Sequence, residues 1–191
     1  MNPVLLTRRL RLSDFSASHL PDLARMNADP EVMRYFPATL NPEESVALLQ
    51  RITEHQRING YSLFALHLTE SDVFVGWCGL MVVPFEAHFT PAVEIGWRLN
   101  KIFWGKGLAT EAAEAVLRLG FLELGLSEIV SFTAELNQPS IRVMQKIGMQ
   151  SEPKDAFDHP KLPTNHPLQR HILYRLTKSL WLKQRECSKT P

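Results

Sequence analysis

Residues 92–115 read AVEIGWRLNKIFWGKGLATEAAEA, and this stretch holds a predicted strand, a glycine-rich turn and a predicted helix in succession. From Ala92 to Leu99, β-branched and aromatic residues alternate with polar ones, a pattern typical of a β-strand. From Leu108 to Leu124 the chain is rich in Ala, Leu and Glu, which favours an α-helix, and Gly125 is positioned to end it. The centre of the chain is therefore predicted to form a strand–turn–helix unit.

The turn of this unit contains two glycines, in Gly105-Lys106-Gly107. Glycine lets an anion approach the backbone closely, and the N-terminus of the following helix offers free N–H groups and a partial positive charge. We therefore predict that a phosphate-bearing cofactor binds at Gly105 to Ala109. An ordinary strand-to-helix turn is the alternative interpretation.

Two common phosphate-binding loops do not match this turn. A P-loop requires G-x-x-x-x-G-K-[ST], but Lys106 is followed by Gly107 and the position five before Gly105 is Asn100. A dinucleotide loop requires G-x-G-x-x-G and an acid about 20 residues on, at the end of the next strand. Here the third glycine position is Thr110, and the nearest acid, Glu128, lies at the start of the next predicted strand, so this match is weak.

The turn is similar instead to the [Q/R]-x-x-G-x-[G/A] pyrophosphate loop of the GNAT acyl-CoA N-acyltransferases. Residues 104–109 read WGKGLA, with Trp104 where that family usually has Gln or Arg. Residues 137–149, NQPSIRVMQKIGM, resemble the N-x-x-S-x-x-x-x-x-K-x-G-[FM] segment of the same family, most closely the branch of the ribosomal-protein N-terminal acetyltransferases. Thr110-Glu111-Ala112 also resembles that branch. The two motifs occur in the family's order, and the resemblance covers roughly Thr7 to Leu176.

This resemblance implies an α/β (α+β) fold with a mixed, strongly twisted sheet and flanking helices. It implies a single acyl-CoA N-acyltransferase domain over residues 1–191, with a core of about 7–176 and a C-terminal tail of 177–191. The implied function is transfer of an acetyl group from acetyl-CoA, the co-substrate, to a primary amine on a protein N-terminus or a small molecule. A non-catalytic acyl-CoA-binding sensor that kept the loop is the alternative.

The loop and the strand before it are expected to hold the co-substrate. In this fold the strand splays near Trp97 to Leu99, so its unpaired N–H groups are expected to face the pantetheine arm or the thioester oxygen. Asn137 is expected to position the co-substrate or the amine through its side-chain amide, with a plain helix N-cap as the alternative. The predicted cofactor-binding residues are Trp97, Leu99, Trp104, Gly105, Lys106, Gly107, Leu108, Ala109 and Asn137.

Acyl transfer to an amine also needs a deprotonated amine, a stabilised oxyanion and a proton for the leaving thiolate. Glu94, on the strand before the loop, is the predicted base, acting directly or through a water; an exposed strand carboxylate is the alternative. Ser140 is the predicted donor of a proton or hydrogen bond to the thiolate, with a polar first-turn residue as the alternative. Residues 137–149 contain no tyrosine, so the tyrosine acid of some family members is absent from this segment.

The composition of the chain limits its possible partners and compartments. The 191-residue chain is 21% charged with a formal net charge of +1 and no long basic run, which argues against nucleic-acid binding. No apolar run reaches the ~18 residues of a membrane span, and the first nine residues do not resemble a signal peptide. Two cysteines, Cys78 and Cys187, give no disulfide framework, which indicates reduced thiols in a cytoplasmic protein. The oligomeric state stays open, with a dimer as one option.

Three histidines near the C-terminus, His159, His166 and His171, are irregularly spaced and have no cysteine nearby, so we predict no metal site. Their role stays open, and Asp158-His159 facing an acceptor pocket is a hypothesis.

Local patterns predict the other elements. A capped helix is expected from Asn41 to Gly60, with Val46, Leu49 and Ile52 facing the core. The connector Val32 to Pro37 is expected either to cover the core or to wall a substrate pocket. The remaining predictions are strands at Arg9–Leu12, Tyr61–Thr69, Val73–Val83, Glu128–Ala134 and Arg170–Thr177, helices at about residues 20–27 and from Pro139 to Gly148, and an ordered loop at Asp155–Gln169.

Overall fold

A computed structural model describes residues 5–187 of the chain. Within this range, eight strands form one sheet in the order β1-β2-β3-β4-β5-β6-β8-β7, flanked by six α-helices. The pairing of β5 with β6 is parallel, whereas β1–β2, β2–β3, β3–β4, β6–β8 and β7–β8 are antiparallel. The mixed α/β class predicted from the sequence is confirmed. The strands are β1 (Leu5–Leu6), β2 (Leu10–Asp14), β3 (Leu63–Leu68), β4 (Phe74–Val82), β5 (Val93–Leu99), β6 (Glu128–Ala134), β7 (Phe157–Asp158) and β8 (Arg170–Thr177). The helices are α1 (Leu20–Ala28), α2 (Pro30–Met33), α3 (Pro42–Asn59), α4 (Leu108–Arg118), α5 (Gln138–Lys146) and α6 (Lys178–Cys187).

The described chain divides into two compact units. The first contains the residues up to Met81 together with Gly96–Val116, and the second contains Val82–Ile95 together with the residues from Leu117 onward. The chain passes between the units inside β5, so Glu94 belongs to the second unit and Trp97 to the first.

In the first unit, helices α1 to α3 cover one hydrophobic core with the strands β3 and β4. The buried members of this core are Phe15, Leu23, Met26, Val32, Leu49, Ile52, Leu63, Ala65, Phe74 and Trp77. Val32, in the connector between α1 and α3, is among them, so that connector does cover the core. Gly76 of β4 has a φ of +148°, and a Cβ there would overlap the backbone of Arg98 and Leu99, so the close approach of these strands requires glycine at this position.

Helix α3 begins and ends as its sequence predicts. The Glu44 N–H donates to Asn41 Oδ1 at 2.8 Å, and the Asn41 N–H donates to Glu44 Oε2 at 2.8 Å, which completes a capping box. Gly60 ends the helix with a φ of +77°. The prediction that Val46 faces the core is wrong, since Val46 is 37% exposed while Leu49 and Ile52 are buried. Helical periodicity gave the direction of the buried stripe but overestimated its width.

The second unit is built on the antiparallel pair β6–β8. Their register runs from Glu128 opposite Thr177 to Ala134 opposite His171. The strand β7 adds to the outer side of β8, within a segment for which the sequence predicted only a loop. The buried residues of this unit's aromatic core are Val83, Phe89, Val130, Phe157 and Leu173.

The C-terminal end of the described chain, within the predicted tail of residues 177–191, forms the helix α6. Trp181 of α6 is 4% exposed, and its ring lies 5.3 Å from the ring of Phe121, centroid to centroid. Burial of this large aromatic side chain favours the helix, in addition to the helix-forming Leu, Lys, Gln, Arg and Glu residues of the segment.

Candidate functional site

The glycine turn lies between β5 and α4, as predicted. A short 3₁₀ turn at Lys101–Phe103 leads into it, and Gly105 and Gly107 have φ values of +72° and +75°. Both residues are in the left-handed region that favours glycine. Leu108 is the first residue of α4, and the first N–H groups of any α-helix have no partner inside the helix. The turn therefore leads into the start of α4, where the helix itself leaves its first backbone N–H donors without a partner.

The turn contains two bulky residues, Trp104 and Lys106. Each of their side chains contacts a group of the first unit, a backbone carbonyl for Trp104 and an aromatic ring for Lys106. The Trp104 Nε1–H donates to the Leu99 carbonyl at 2.8 Å, while the indole stays 39% exposed. The Lys106 ammonium lies 5.5 Å from the centroid of the Phe103 ring. The Trp104 side chain thus ties the turn back to the end of β5.

Two residues outside the motif, Thr7 and Arg9, clamp the start of α4. The Arg9 Nη1–H donates to the Lys106 carbonyl at 2.8 Å, and Arg9 Nε–H donates to Glu111 Oε2 at 2.6 Å. The Thr7 hydroxyl and the Arg9 backbone N–H both donate to Glu111 Oε1, at 2.6 and 2.8 Å. Sequence analysis missed Thr7 and Arg9, because they lie about a hundred positions before Glu111; the Thr110-Glu111-Ala112 resemblance was the only signal near them.

Desolvation acts to raise the pKa of the Glu111 carboxyl, but the hydrogen bonds from Thr7 and Arg9 outweigh it and hold that pKa below its ordinary value. Glu111 therefore stays ionised at neutral pH.

On β5, Leu99 is buried and Trp97 is half-buried. Between them, Arg98 is 9% exposed and is a further residue that sequence analysis missed. Its Nη1–H donates to Asn27 Oδ1 at 2.7 Å, and its guanidinium carbon lies 4.0 Å from the centroid of the Phe36 ring and 5.1 Å from that of Trp77. Burial lowers the pKa of Arg98 to about 9. Two aromatic faces and an amide thus hold a buried cation whose backbone is part of the predicted co-substrate strand.

Glu94 lies in the second unit, at the position of β5 that pairs in parallel with Val130 of β6. Burial raises the pKa of its carboxyl to about 8, and among the residues described no hydrogen bond or ion pair to this carboxyl opposes the shift. A half-buried carboxyl with a pKa near neutrality can exchange protons in the physiological range, which is the property that a general base needs.

Asn137 and Ser140 both take part in the cap of α5. The Ser140 N–H donates to Asn137 Oδ1 at 3.3 Å, and the Asn137 amide donates to the Thr133 hydroxyl at 2.9 Å. Asn137 is therefore the N-cap of α5, and in the contacts described for residues 5–187 its amide uses one of its two N–H groups. The Ser140 hydroxyl is half-buried.

Two of the three histidines, His159 and His171, lie in the aromatic cluster of the second unit. The rings of His159 and His171 lie 4.8 Å apart, and burial, the neighbouring His171 and Lys161 lower the pKa of His159 to about 4. Asp158 pairs with Arg170, and His166 Nδ1 accepts from the Leu168 N–H at 3.1 Å. Among residues 5–187, no group of three or more His, Cys, Asp or Glu is arranged to hold a metal ion.

The predicted residues fall into two sets. Trp97, Leu99 and the turn lie in the first unit, whereas Glu94, Asn137 and Ser140 lie in the second. In the part of the chain that the structure describes, no helix is both long and apolar enough to span a bilayer.

Comparison with known proteins relates the chain to acetyltransferases. The profile of the family described as "Acetyltransferase (GNAT) domain" matches residues 9–150. The N-acetyltransferase YnaD of Bacillus subtilis is 30% identical over 177 residues, covering 93% of this chain and 98% of that protein. The FsC-acetyl coenzyme A-N(2)-transacetylase of Aspergillus fumigatus is 28% identical over 195 residues, covering 98% and 82%.

Solved structures agree in fold. A GNAT-family acetyltransferase from Bacillus anthracis superposes with a TM-score of 0.75 at 25% identity, covering 93% of this chain and 99% of that one. RimL, a ribosomal L7/L12 α-N-protein acetyltransferase solved with coenzyme A, superposes with a TM-score of 0.73 at 16% identity, covering 91% and 97%.

Proposed function

Because this chain belongs to the GNAT acetyltransferase family, we propose that it transfers the acetyl group of acetyl-CoA to a primary amine, either a protein N-terminus or a small amine. The observation that carries the proposal is the Gly105–Gly107 turn with its two positive φ values, which leads directly into the N-terminus of α4. Acetyl-CoA is the acetyl donor of this family, and a pyrophosphate is the kind of anion that such a turn binds.

In the proposed complex, the backbone of Trp104 to Ala109 binds the pyrophosphate. The N–H groups near Trp97 and Leu99 face the pantetheine arm or the thioester oxygen, and the remaining N–H of the Asn137 amide positions the co-substrate or the amine. Trp104 replaces the usual Gln or Arg, and its indole is already bonded to the Leu99 carbonyl, so its role in binding is packing and positioning of the turn.

The proposed reaction needs a neutral amine nitrogen. Glu94 accepts a proton from the ammonium form, directly or through a water, and the free amine attacks the thioester carbon. A C–N bond forms and the C–S bond breaks, and the second proton that the amine nitrogen loses passes to the coenzyme A thiolate, with the Ser140 hydroxyl relaying that proton or donating a hydrogen bond to the thiolate. A free α-amine has a pKa of about 8, so a base of similar pKa suits this proton transfer at neutral pH.

The acceptor class is proposed at the level of a primary amine. RimL, which is named for acting on a ribosomal protein, shares the fold at 16% identity, and the Aspergillus fumigatus relative is named for N(2)-transacetylation. We further propose that the chain acts as one acyltransferase domain in the cytoplasm, without a metal, nucleic-acid or membrane partner. The buried free thiol of Cys78 suits a reducing compartment.

Thermal unfolding with and without acetyl-CoA tests the binding step. A ligand that binds only the folded chain adds about 2.7 kcal/mol at 100 times its dissociation constant. We expect acetyl-CoA to raise the melting temperature, and NAD and ATP to leave it unchanged. In Gly107→Val the effect should be largely lost, because the added branch blocks close approach of the pyrophosphate and resists the positive φ.

Release of free thiol with α-amino peptides, polyamines and aminoglycosides tests the transfer step. Release that depends on one acceptor class supports the enzyme and identifies its substrate. Binding of acetyl-CoA without thiol release across the panel would favour a non-catalytic acyl-CoA sensor. An unchanged melting temperature with acetyl-CoA, together with a rise with NAD or ATP, would overturn the assignment of the turn.

A further inference from the structure

We propose that Arg9 is a phosphate-binding residue for acetyl-CoA, an inference that rests on the proposed function of the turn. The residue lies outside both family motifs, just before β2, and reaches the turn across 97 positions of sequence. Its guanidinium supplies the positive charge that the turn lacks at Trp104.

The three nitrogens of the Arg9 guanidinium have different surroundings. Nε donates to Glu111 and Nη1 donates to the Lys106 carbonyl, which fixes the plane of the group. Nη2 lies 3.6 Å from the position that a Cβ on Gly107 would occupy. The third nitrogen is therefore beside the glycine over which the pyrophosphate is proposed to pass.

The Arg9 side chain is 43% exposed, so solvent and ligands can reach it. Because two hydrogen bonds already fix this guanidinium, it loses little further conformational freedom when it binds an anion. Its remaining N–H groups match the geometry of phosphate oxygens. The arrangement thus presents a charged donor that is already oriented.

Arg9 also offsets the negative charge of Glu111. This ionised carboxylate lies in the first turn of α4, where it would repel a bound pyrophosphate. Arg9 and Thr7 bind both of its oxygens and offset its charge. A purely neutralising role and a direct phosphate contact therefore have to be separated by experiment.

Calorimetric titration of coenzyme A into single and double variants separates these roles. Arg9→Gln should weaken binding about 10- to 100-fold, the range typical of a lost hydrogen bond between charged groups. Arg9→Lys should retain part of the affinity at low salt. The matched control is Arg8→Gln, which removes the same charge from the exposed neighbouring residue and should change affinity less than twofold.

The double variant Arg9→Gln/Glu111→Gln decides between the two roles. A direct phosphate contact predicts that the double variant stays at least tenfold weaker than Glu111→Gln alone. Full recovery of affinity in the double variant would overturn the proposal, since Arg9 would then only neutralise Glu111. Titration with acetyl-pantetheine, which has no phosphate, should give equal affinities for the wild type and Arg9→Gln.

Melting temperature and near-ultraviolet circular dichroism confirm that each variant is folded before titration. A wild-type protein that does not bind coenzyme A contradicts the proposed function. A wild type that binds coenzyme A as tightly as Arg9→Gln contradicts only the role of Arg9.

Discussion

Glu94 and Glu111 stand on either side of the same glycine turn in the sequence, yet the structure gives them opposite electrostatic environments. Glu111 accepts three hydrogen bonds from Thr7 and Arg9, and its pKa lies below the ordinary value. Glu94 has burial without a compensating partner among the residues described, and its pKa rises to about 8. One carboxylate is fixed in its charged form, whereas the other can gain and lose a proton near neutral pH.

The difference separates a binding role from a chemical one. A permanently ionised and fully bonded carboxylate suits a residue that fixes Arg9 and the start of α4. A carboxyl whose pKa lies close to that of an α-amine suits proton transfer. The same residue type is thus assigned to architecture in one place and proposed for catalysis in the other, on the basis of its neighbours alone.

Replacement of Glu94 by Gln should have the largest effect. We expect turnover to fall by about 10²–10⁴-fold below the pKa of the acceptor amine, the usual range for a lost general base. The affinity for coenzyme A should not change. Steady-state rates and calorimetry measure the two effects separately.

The pH dependence of turnover is a second test of Glu94 as the base. The wild-type rate should rise with pH toward about 8, where Glu94 ionises. In Glu94→Gln the rate should recover partly at higher pH, because the amine then loses its proton without help. If Glu94→Gln has the same rate as the wild type at every pH, then solvent or another group removes the proton, and Glu94 is a structural residue.

Replacement of Glu94 by Gln should lower turnover but raise the free energy of unfolding at high pH. The folded chain keeps this carboxyl protonated to about pH 8, whereas a carboxyl with the ordinary pKa of 4.5 ionises earlier in the unfolded chain. The wild type therefore loses stability as pH rises between these values. Because Gln cannot ionise, Glu94→Gln should be more stable than the wild type by about 2–4 kcal/mol at pH 9 and about equal near pH 4.5.

Urea unfolding at a series of pH values measures this difference. Glu86→Gln is the matched control, since Glu86 is an exposed carboxylate of the same unit and its replacement should change the stability by no more than about 0.5 kcal/mol. A Glu94→Gln variant that is less stable than the wild type at pH 9 would mean that the carboxylate has a favourable partner in solution.

The sequence predicted those features that depend on local interactions. The capping box at Asn41 and the stop at Gly60 are set by neighbours within four residues, and the glycine turn by its own backbone requirement. The turn also carried the family resemblance, so the predicted co-substrate loop and its chemistry followed from one short stretch.

The features that were missed depend on long-range contacts. Arg9 meets Glu111 across 102 positions and Arg98 meets Asn27 across 71, and nothing in the local pattern of either arginine indicates such a partner. Helix α6 packs Trp181 against Phe121, about 60 positions earlier in the chain, and the two-residue strand β7 is too short to show a period. The raised pKa of Glu94 follows from burial, which only the folded chain defines.

Replacement of Glu111 by Gln should have the smallest effect and completes the comparison. Gln retains one oxygen acceptor but loses the charge, so the bonds from Arg9 and Thr7 weaken and one donor loses its acceptor. Since Arg9 is partly exposed, we expect a loss of about 1–2 kcal/mol in the free energy of unfolding at pH 7. The folded-state pKa of Glu111 is depressed, so its contribution is present above the ordinary carboxyl pKa and disappears as pH falls through the lower, folded-state value. Urea unfolding at pH 7 and at progressively lower pH should therefore show that the difference in unfolding free energy from the wild type decreases.

Glu114→Gln, at an exposed position of the same helix, is the control and should stay within about 0.5 kcal/mol of the wild type. Equal losses for the two variants would show that helix charge, and not the clamp by Thr7 and Arg9, distinguishes Glu111 from Glu94.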